Sequence, residues 1–96
     1  MVKYEGIFLL KVDLDKEKLN DLTGRIKDTI KRQEAEILSA EFWREKQQLA
    51  YPIKKQKEAH YYLVNFKAEP SVISKIDQEF RINENILRFM IIKLKR

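Results

Sequence analysis

Few side chains in this 96-residue chain are suited to covalent or acid–base chemistry. There is one histidine, His60, and no cysteine, so thiol nucleophiles, thiolate metal sites and disulfide frameworks are excluded. No serine–histidine–acid set assembles around His60, which falls where a loop becomes a strand and reads as a surface or packing residue. The carboxylate pairs Asp13/Asp15 and Glu41/Glu45 have no reason to be desolvated together, as general acid–base catalysis requires. Capping and solvation explain them. The sequence contains no Walker loop, no dinucleotide-type glycine pattern and no histidine-rich metal spacing. It therefore points away from an enzyme and assigns no residue to a metal or cofactor.

The chemistry that remains is charge. Twenty Lys and Arg against fifteen Asp and Glu give a net charge of +5. Between Lys46 and Lys57 stand four bases (Lys46, Lys54, Lys55, Lys57) and no acid, and between Arg88 and Arg96 four more (Arg88, Lys93, Lys95, Arg96), again with no acid. Those 21 residues carry +8, leaving the other 75 at −3. Basic clusters on a mildly acidic body suggest a surface for a polyanion.

The rest of the composition must position those bases. Hydrophobic content of 44% with only two Gly and two Pro suits one compact domain over residues 1–96 and is too apolar for charge-driven disorder. No apolar run approaches the roughly 18–20 residues of a membrane helix. Met1 to Glu5 lacks the basic-then-apolar order of an export signal, so a soluble cytoplasmic protein is expected.

Lys3 to Val12 is a nearly continuous apolar run and is expected to be a strand buried largely on both faces. Asp15 is a good helix N-cap, and Leu14 and Leu19 sit at hydrophobic-staple spacing. Leu19, Leu22, Ile26 and Ile30 then mark one stripe of a helix from about Lys16 to Gln33. Gly24 within it suggests a close approach to the sheet. Ala35 to Ile53 reads as a long strand interrupted by a bulge or twist at its polar stretch Glu41 to Gln48, with Pro52 requiring an edge or terminal position. Lys54 to Glu58 reads as a polar connection, Tyr61 to Phe66 as a third strand, Pro70 to Phe80 as a second helix and Ile86 to Leu94 as a last strand.

The resulting order, βαββαβ, has a preferred α+β solution: a four-stranded antiparallel sheet, order 4-1-3-2, with both helices on one face, the ferredoxin-like arrangement. Alternation along the strands sends Tyr4, Phe8, Leu10, Tyr62, Val64, Phe66, Phe89 and Ile91 to the helix side. It leaves Lys3, Glu5, Ile7, Leu9, Tyr61, Leu63, Asn65, Arg88, Met90 and Ile92 on the open face. The open face is too apolar at its centre to be simply wet, so a protein partner or a bound base is expected there, and Ile7, Leu9, Tyr61, Leu63, Met90 and Ile92 are taken as the protein-partner face. RNA-recognition motifs share this topology and stack bases on aromatics of the central strands. Here only Tyr61 among the open-face residues could stack, which disfavours that mode.

Four segments together carry a likeness: Tyr4-Glu5; Leu49-Ala50-Tyr51-Pro52-Ile53-Lys54-Lys55; Tyr61-Tyr62-Leu63-Val64-Asn65-Phe66; and Phe80-Arg81-Ile82-Asn83-Glu84-Asn85-Ile86-Leu87-Arg88-Phe89-Met90. In order and over essentially the whole chain, they resemble the bacterial ribosomal small-subunit protein six family. The resemblance implies a non-catalytic ferredoxin-like protein of the small ribosomal subunit. It further implies binding to the central domain of small-subunit ribosomal RNA as a heterodimer with small-subunit protein eighteen, without membrane, cofactor or small-molecule substrate. Carried over by position, the RNA-facing residues are Lys3, Tyr4, Tyr51, Lys54, Arg88 and Lys93, and the hairpin tip adds Lys55. The sequence differs from the family's usual pattern at Val2, at Gln47-Gln48 and at Glu58-Ala59-His60. The rival reading without nucleic acid is a ferredoxin-like homo-oligomer paired through its open faces.

Overall fold

The computed structural model describes residues 1–94, so Lys95 and Arg96 of the second basic cluster lie outside the described residues. Strand β1 (Val2–Leu10) leads into helix α1 (Lys16–Lys31). The helix begins where the sequence asks it to, because the Asp15 carboxylate accepts the Lys18 N–H at 2.8 Å and satisfies one of the free donors of the first turn. The long strand β2 (Glu36–Ile53) and β3 (Gln56–Ala68) follow as a hairpin. A short 3₁₀ turn, Pro70–Val72, runs into helix α2 (Ile73–Arg81), and β4 (Ile86–Lys93) closes the sheet.

The sheet order is β2-β3-β1-β4, the expected 4-1-3-2 read from the other edge, and every pairing is antiparallel. Both helices bury their stripes on one face. Leu22, Ile26 and Ile30 of α1 and Ile76 and Phe80 of α2 join Tyr4, Phe8, Leu10, Tyr62, Val64 and Phe66 in a single core. Phe8 lies at its centre, edge-on to Phe80 at 4.9 Å and stacked on Phe89 at 6.1 Å. Gly6 makes room for it, since a Cβ there would stand 2.8 Å from the Phe8 ring. Gly24 needs no such space: nothing lies within 4 Å of where its Cβ would be, and the expected close approach to the sheet does not occur.

One element departs from the sequence reading. The expected polar connection of Lys54 to Glu58 is only a two-residue turn, Lys54-Lys55, with strand resuming at Gln56. Both lysines have left-handed backbone, φ 49° and 68°. That is the geometry of a type I′ hairpin turn, whose twist matches the flanking strands and which usually takes Asn-Gly. Pro52 is tolerated because β2 is an edge strand.

Candidate nucleic-acid interface

The β2–β3 hairpin runs beyond the end of β1, since β1 stops opposite His60 while β2 and β3 go on pairing as far as Ile53 and Gln56. Its register slips between Phe42 and Arg44, between Arg44 and Gln47, and between Gln48 and Ile53. Such bulges bend a strand and raise its twist. The arm folds over the open face, where Leu49, Ile53 and Tyr61 pack on Leu9, Ala59 and Leu87 in a second, smaller apolar cluster.

That fold-over brings the hairpin to the start of β4. Arg88 Nη1 donates to the Tyr51 hydroxyl at 3.1 Å, and the guanidinium lies 5.9 Å from the centre of the Tyr51 ring. Lys54 Nζ donates to the Ile86 carbonyl at 3.5 Å. Tyr51, Lys54, Lys55 and Arg88 are all exposed. Residues more than thirty positions apart in the chain thus form one basic edge with an aromatic ring in it. Arg88 keeps guanidinium donors free for a phosphate, and an ammonium has three donors to offer.

The other expected bases lie elsewhere. Lys3 is at the far end of β1, six residues or roughly 20 Å of strand from Leu9, the partner of Arg88. It stands directly opposite Lys67 of β3, a like-charged cross-strand pair that is unfavourable unless an anion comes between. The sequence reading missed Lys67, because only the strand register reveals the pairing. Lys93 pairs with Tyr4, so it belongs to the opposite side of the sheet from Lys3. Two separate basic edges result.

Tyr4 is on neither edge. Only 6% of it is exposed, and its ring stacks on Phe66 at 5.7 Å. Placing Tyr4 at the RNA surface is therefore corrected: alternation sends it into the core beneath the helices. A second correction concerns Leu9, which the hairpin arm covers instead of leaving open to a partner. Tyr61 is half-buried in the same cluster. Of the expected partner face, Met90 and Ile92 are exposed and Ile7 and Leu63 half-exposed, a patch beside the arm.

His60 is buried under the root of the hairpin. Its Nδ1 accepts the backbone N–H of Lys46 at 3.2 Å, holding that residue at a left-handed φ of 51°. Burial lowers its pKa. Glu45 and Glu58 pull the other way, while Lys46 adds to the lowering. It is a packing residue that fixes the shape of β2.

Comparison with known proteins agrees with this architecture. A family model described as "Ribosomal protein S6" matches residues 3–93. The chain is 37% identical over 93 residues to the small ribosomal subunit protein bS6 of Desulforamulus reducens, covering 97% of each chain. It is 32% identical over 93 residues to that of Heliobacterium modesticaldum, covering 97% of this chain and 96% of the relative. The crystal structure of 30S ribosomal protein S6 from Thermotoga maritima superposes with a TM-score of 0.90 at 22% identity, over 97% of this chain and 87% of that one.

Proposed function

This chain belongs to the ribosomal protein S6 family of the small ribosomal subunit, and from that premise we propose that it binds the central domain of small-subunit ribosomal RNA together with small-subunit protein eighteen. The family is one of structural ribosomal proteins and not of enzymes, and the protein's place of action is then the cytoplasmic small subunit. The observation that carries the reading is that Arg88 meets Tyr51 while Lys54 meets the Ile86 carbonyl, which brings the basic hairpin tip beside Arg88 at one end of the sheet. Phosphate contacts of this kind fix the register of an RNA helix and carry little sequence information. Lys3 and Lys67 on the open face supply further contacts at the opposite end, and Lys93 adds one there from the helix side. With the two basic edges about 20 Å apart along β1, the protein bridges two RNA elements, which suits stabilising a helical junction.

Protein eighteen is assigned the apolar patch of Ile7, Leu63, Met90 and Ile92, where Met90 is 54% and Ile92 37% exposed. Exposed apolar surface in one patch is what a protein interface needs.

Replacing Lys54 and Arg88 together with Ala tests the RNA reading. The fold is expected to survive, since both side chains are exposed. The plot of log K against log salt for a central-domain RNA fragment becomes shallower by about two, and incorporation into assembled subunits falls. An unchanged slope would remove the phosphate role. An isolated chain that forms a stable dimer and ignores both RNA and protein eighteen would give the apolar patch to a second copy of itself.

A further inference from the structure

Tyr61 is not the only ring on the open face. Trp43 of β2 lies beside it, ring centres 6.0 Å apart at 76°, and the Arg44 guanidinium sits 5.3 Å from the centre of the indole. We propose that Trp43, flanked by Arg44 and Tyr61, is a stacking site for an unpaired RNA base. This rests on the RNA-binding reading above and adds to it a site for single-stranded RNA that the basic edges alone do not provide.

Three features carry the inference. The first is exposure: more than half of Trp43 is open to solvent, although tryptophan is among the most strongly buried residues on average. The second is that the ring is held. Register slips on either side of Arg44 make this stretch of β2 a bulge, the device that re-aims side chains at functional edges. The bulge is pinned from below by the hydrogen bond from Lys46 N–H to His60 Nδ1. Contact with the steeply inclined Tyr61 ring then holds the indole, so a base would meet a ring already in place.

The third feature is the surroundings. Glu41, Arg44, Glu45 and Lys46, which flank Trp43 along β2, are all exposed and sum to no net charge. An apolar protein partner would have to desolvate these four charged side chains, at a cost that good pairing must offset. A base laid on the indole needs only the ring face and leaves the charges in water. Aromatic rings and arginine planes are the platforms on which single-stranded RNA is held. Arg44, next to Trp43, pairs with Tyr61, Tyr61 with Leu9 and Leu9 with Arg88, a row about 14 Å long across the four strands at ordinary strand spacing. The hairpin arm covers that row at Leu9, so the stacking site and the basic edge at Arg88 stand on either side of the arm.

Trp43 is the only tryptophan in the chain, so its emission reports the site directly. The intact protein is titrated with a dye-labelled short oligoadenylate and, separately, with an RNA duplex. Anisotropy of the dye gives binding, and tryptophan emission gives stacking. Oligoadenylate is expected to quench Trp43 while the duplex binds without quenching. Trp43→Ala should weaken oligoadenylate binding about tenfold, with duplex binding unchanged and Trp43→Phe restoring part of the loss. Binding of oligoadenylate with constant emission and no loss in Trp43→Ala overturns the stacking site and leaves the phosphate contacts standing. Failure of both RNAs to bind at low salt removes the RNA reading as well. A Trp43→Ala defect confined to binding protein eighteen assigns the ring to the protein interface and overturns the proposal.

Discussion

The two faces of the sheet are built from the same alternating strands and end up doing different work. On the helix side Phe8, Leu10, Val64 and Phe66 meet Ile26, Ile30 and Ile76, and all seven are less than 2% exposed. On the open side only Leu9, Ala59 and Leu87 are buried, all under the hairpin arm. The rest of that face is partly or fully open, with Trp43 and Met90 each 54% exposed. A helix-covered face can be optimised for packing alone. A face covered only by its own hairpin keeps surface for partners at little cost to folding, because few of its residues contribute a filled core. On the proposed function, stability and recognition are thus separated across the thickness of one sheet.

The widest gap between the faces should appear on truncating one residue of each. Phe8→Ala leaves a cavity at the centre of the core and is expected to cost about 3–5 kcal/mol. Met90→Ala, on the open face, is expected to stay within about 0.5 kcal/mol of the parent while weakening binding to protein eighteen. Urea unfolding of both variants makes the comparison, and similar losses in the two would break it.

A finer contrast lies within the helix-covered side, between its two glycines. Gly6→Ala drives a methyl against the Phe8 ring, which is fully buried and cannot give way, so a loss of about 1–3 kcal/mol follows. Gly24→Ala adds a methyl to empty space in a helix and should raise stability by about 0.5–1 kcal/mol. Opposite signs in one thermal or urea series are the expected result.

The hairpin turn puts the separation of stability from recognition in one place. Lys54 and Lys55 both hold left-handed backbone, which costs an L-residue with a Cβ of the order of 1 kcal/mol. Changing Lys54 to Asn and Lys55 to Gly together gives the turn its preferred residues and should stabilise the fold by about 1 kcal/mol. The same change removes two ammonium groups and should flatten the salt dependence of RNA binding by about two. A variant that gains stability and keeps full RNA affinity would show that the tip lysines are not held there for RNA.

The helix-covered face was legible because its signals are local and repeated. Asp15 caps, Leu22, Ile26 and Ile30 form a stripe, and Tyr62, Val64 and Phe66 alternate, so element order and sheet order followed directly. The open face was legible only in its list of residues. That Leu9 is covered depends on how far β2 and β3 continue past β1 and on slips in their register. The polar stretch from Glu41 to Gln48 marked an interruption in β2, but not the number of slips or how far they bend the arm. The turn itself was obscured because Lys-Lys lacks the Asn-Gly signature, so the connection looked longer than it is. Lys67 and Trp43 were missed for a related reason: each gains its meaning from the strand opposite. Tyr4 shows the converse, where a residue carried over by likeness was already placed in the core by alternation.

The smallest effect, and the one that tests how the two faces are joined, concerns His60. It is buried where the core meets the hairpin root, its ring edge-on to Phe42 at 5.9 Å and its Nδ1 accepting the Lys46 N–H. An imidazole that accepts at Nδ1 must be neutral there, and protonation would replace this acceptor with a second donor. Burial is the main cause of its lowered pKa, with Lys46 adding to it and Glu45 and Glu58 opposing. The folded pKa is below the unfolded one, so the unfolded chain binds the proton first. The contribution of His60 to stability is full above the ordinary value of 6.5 and is lost as pH falls below it, until the folded state also takes up the proton. Urea midpoints measured downward from neutral pH should fall through that window, and His60→Gln should remove the histidine's share of the slope. If protonation also frees Lys46 and relaxes the bulge, Trp43 emission should shift over the same interval before the chain unfolds. A parent and His60→Gln with parallel pH profiles would mean that the hydrogen bond from Lys46 does not anchor the arm, and that the open face is shaped by the apolar cluster alone.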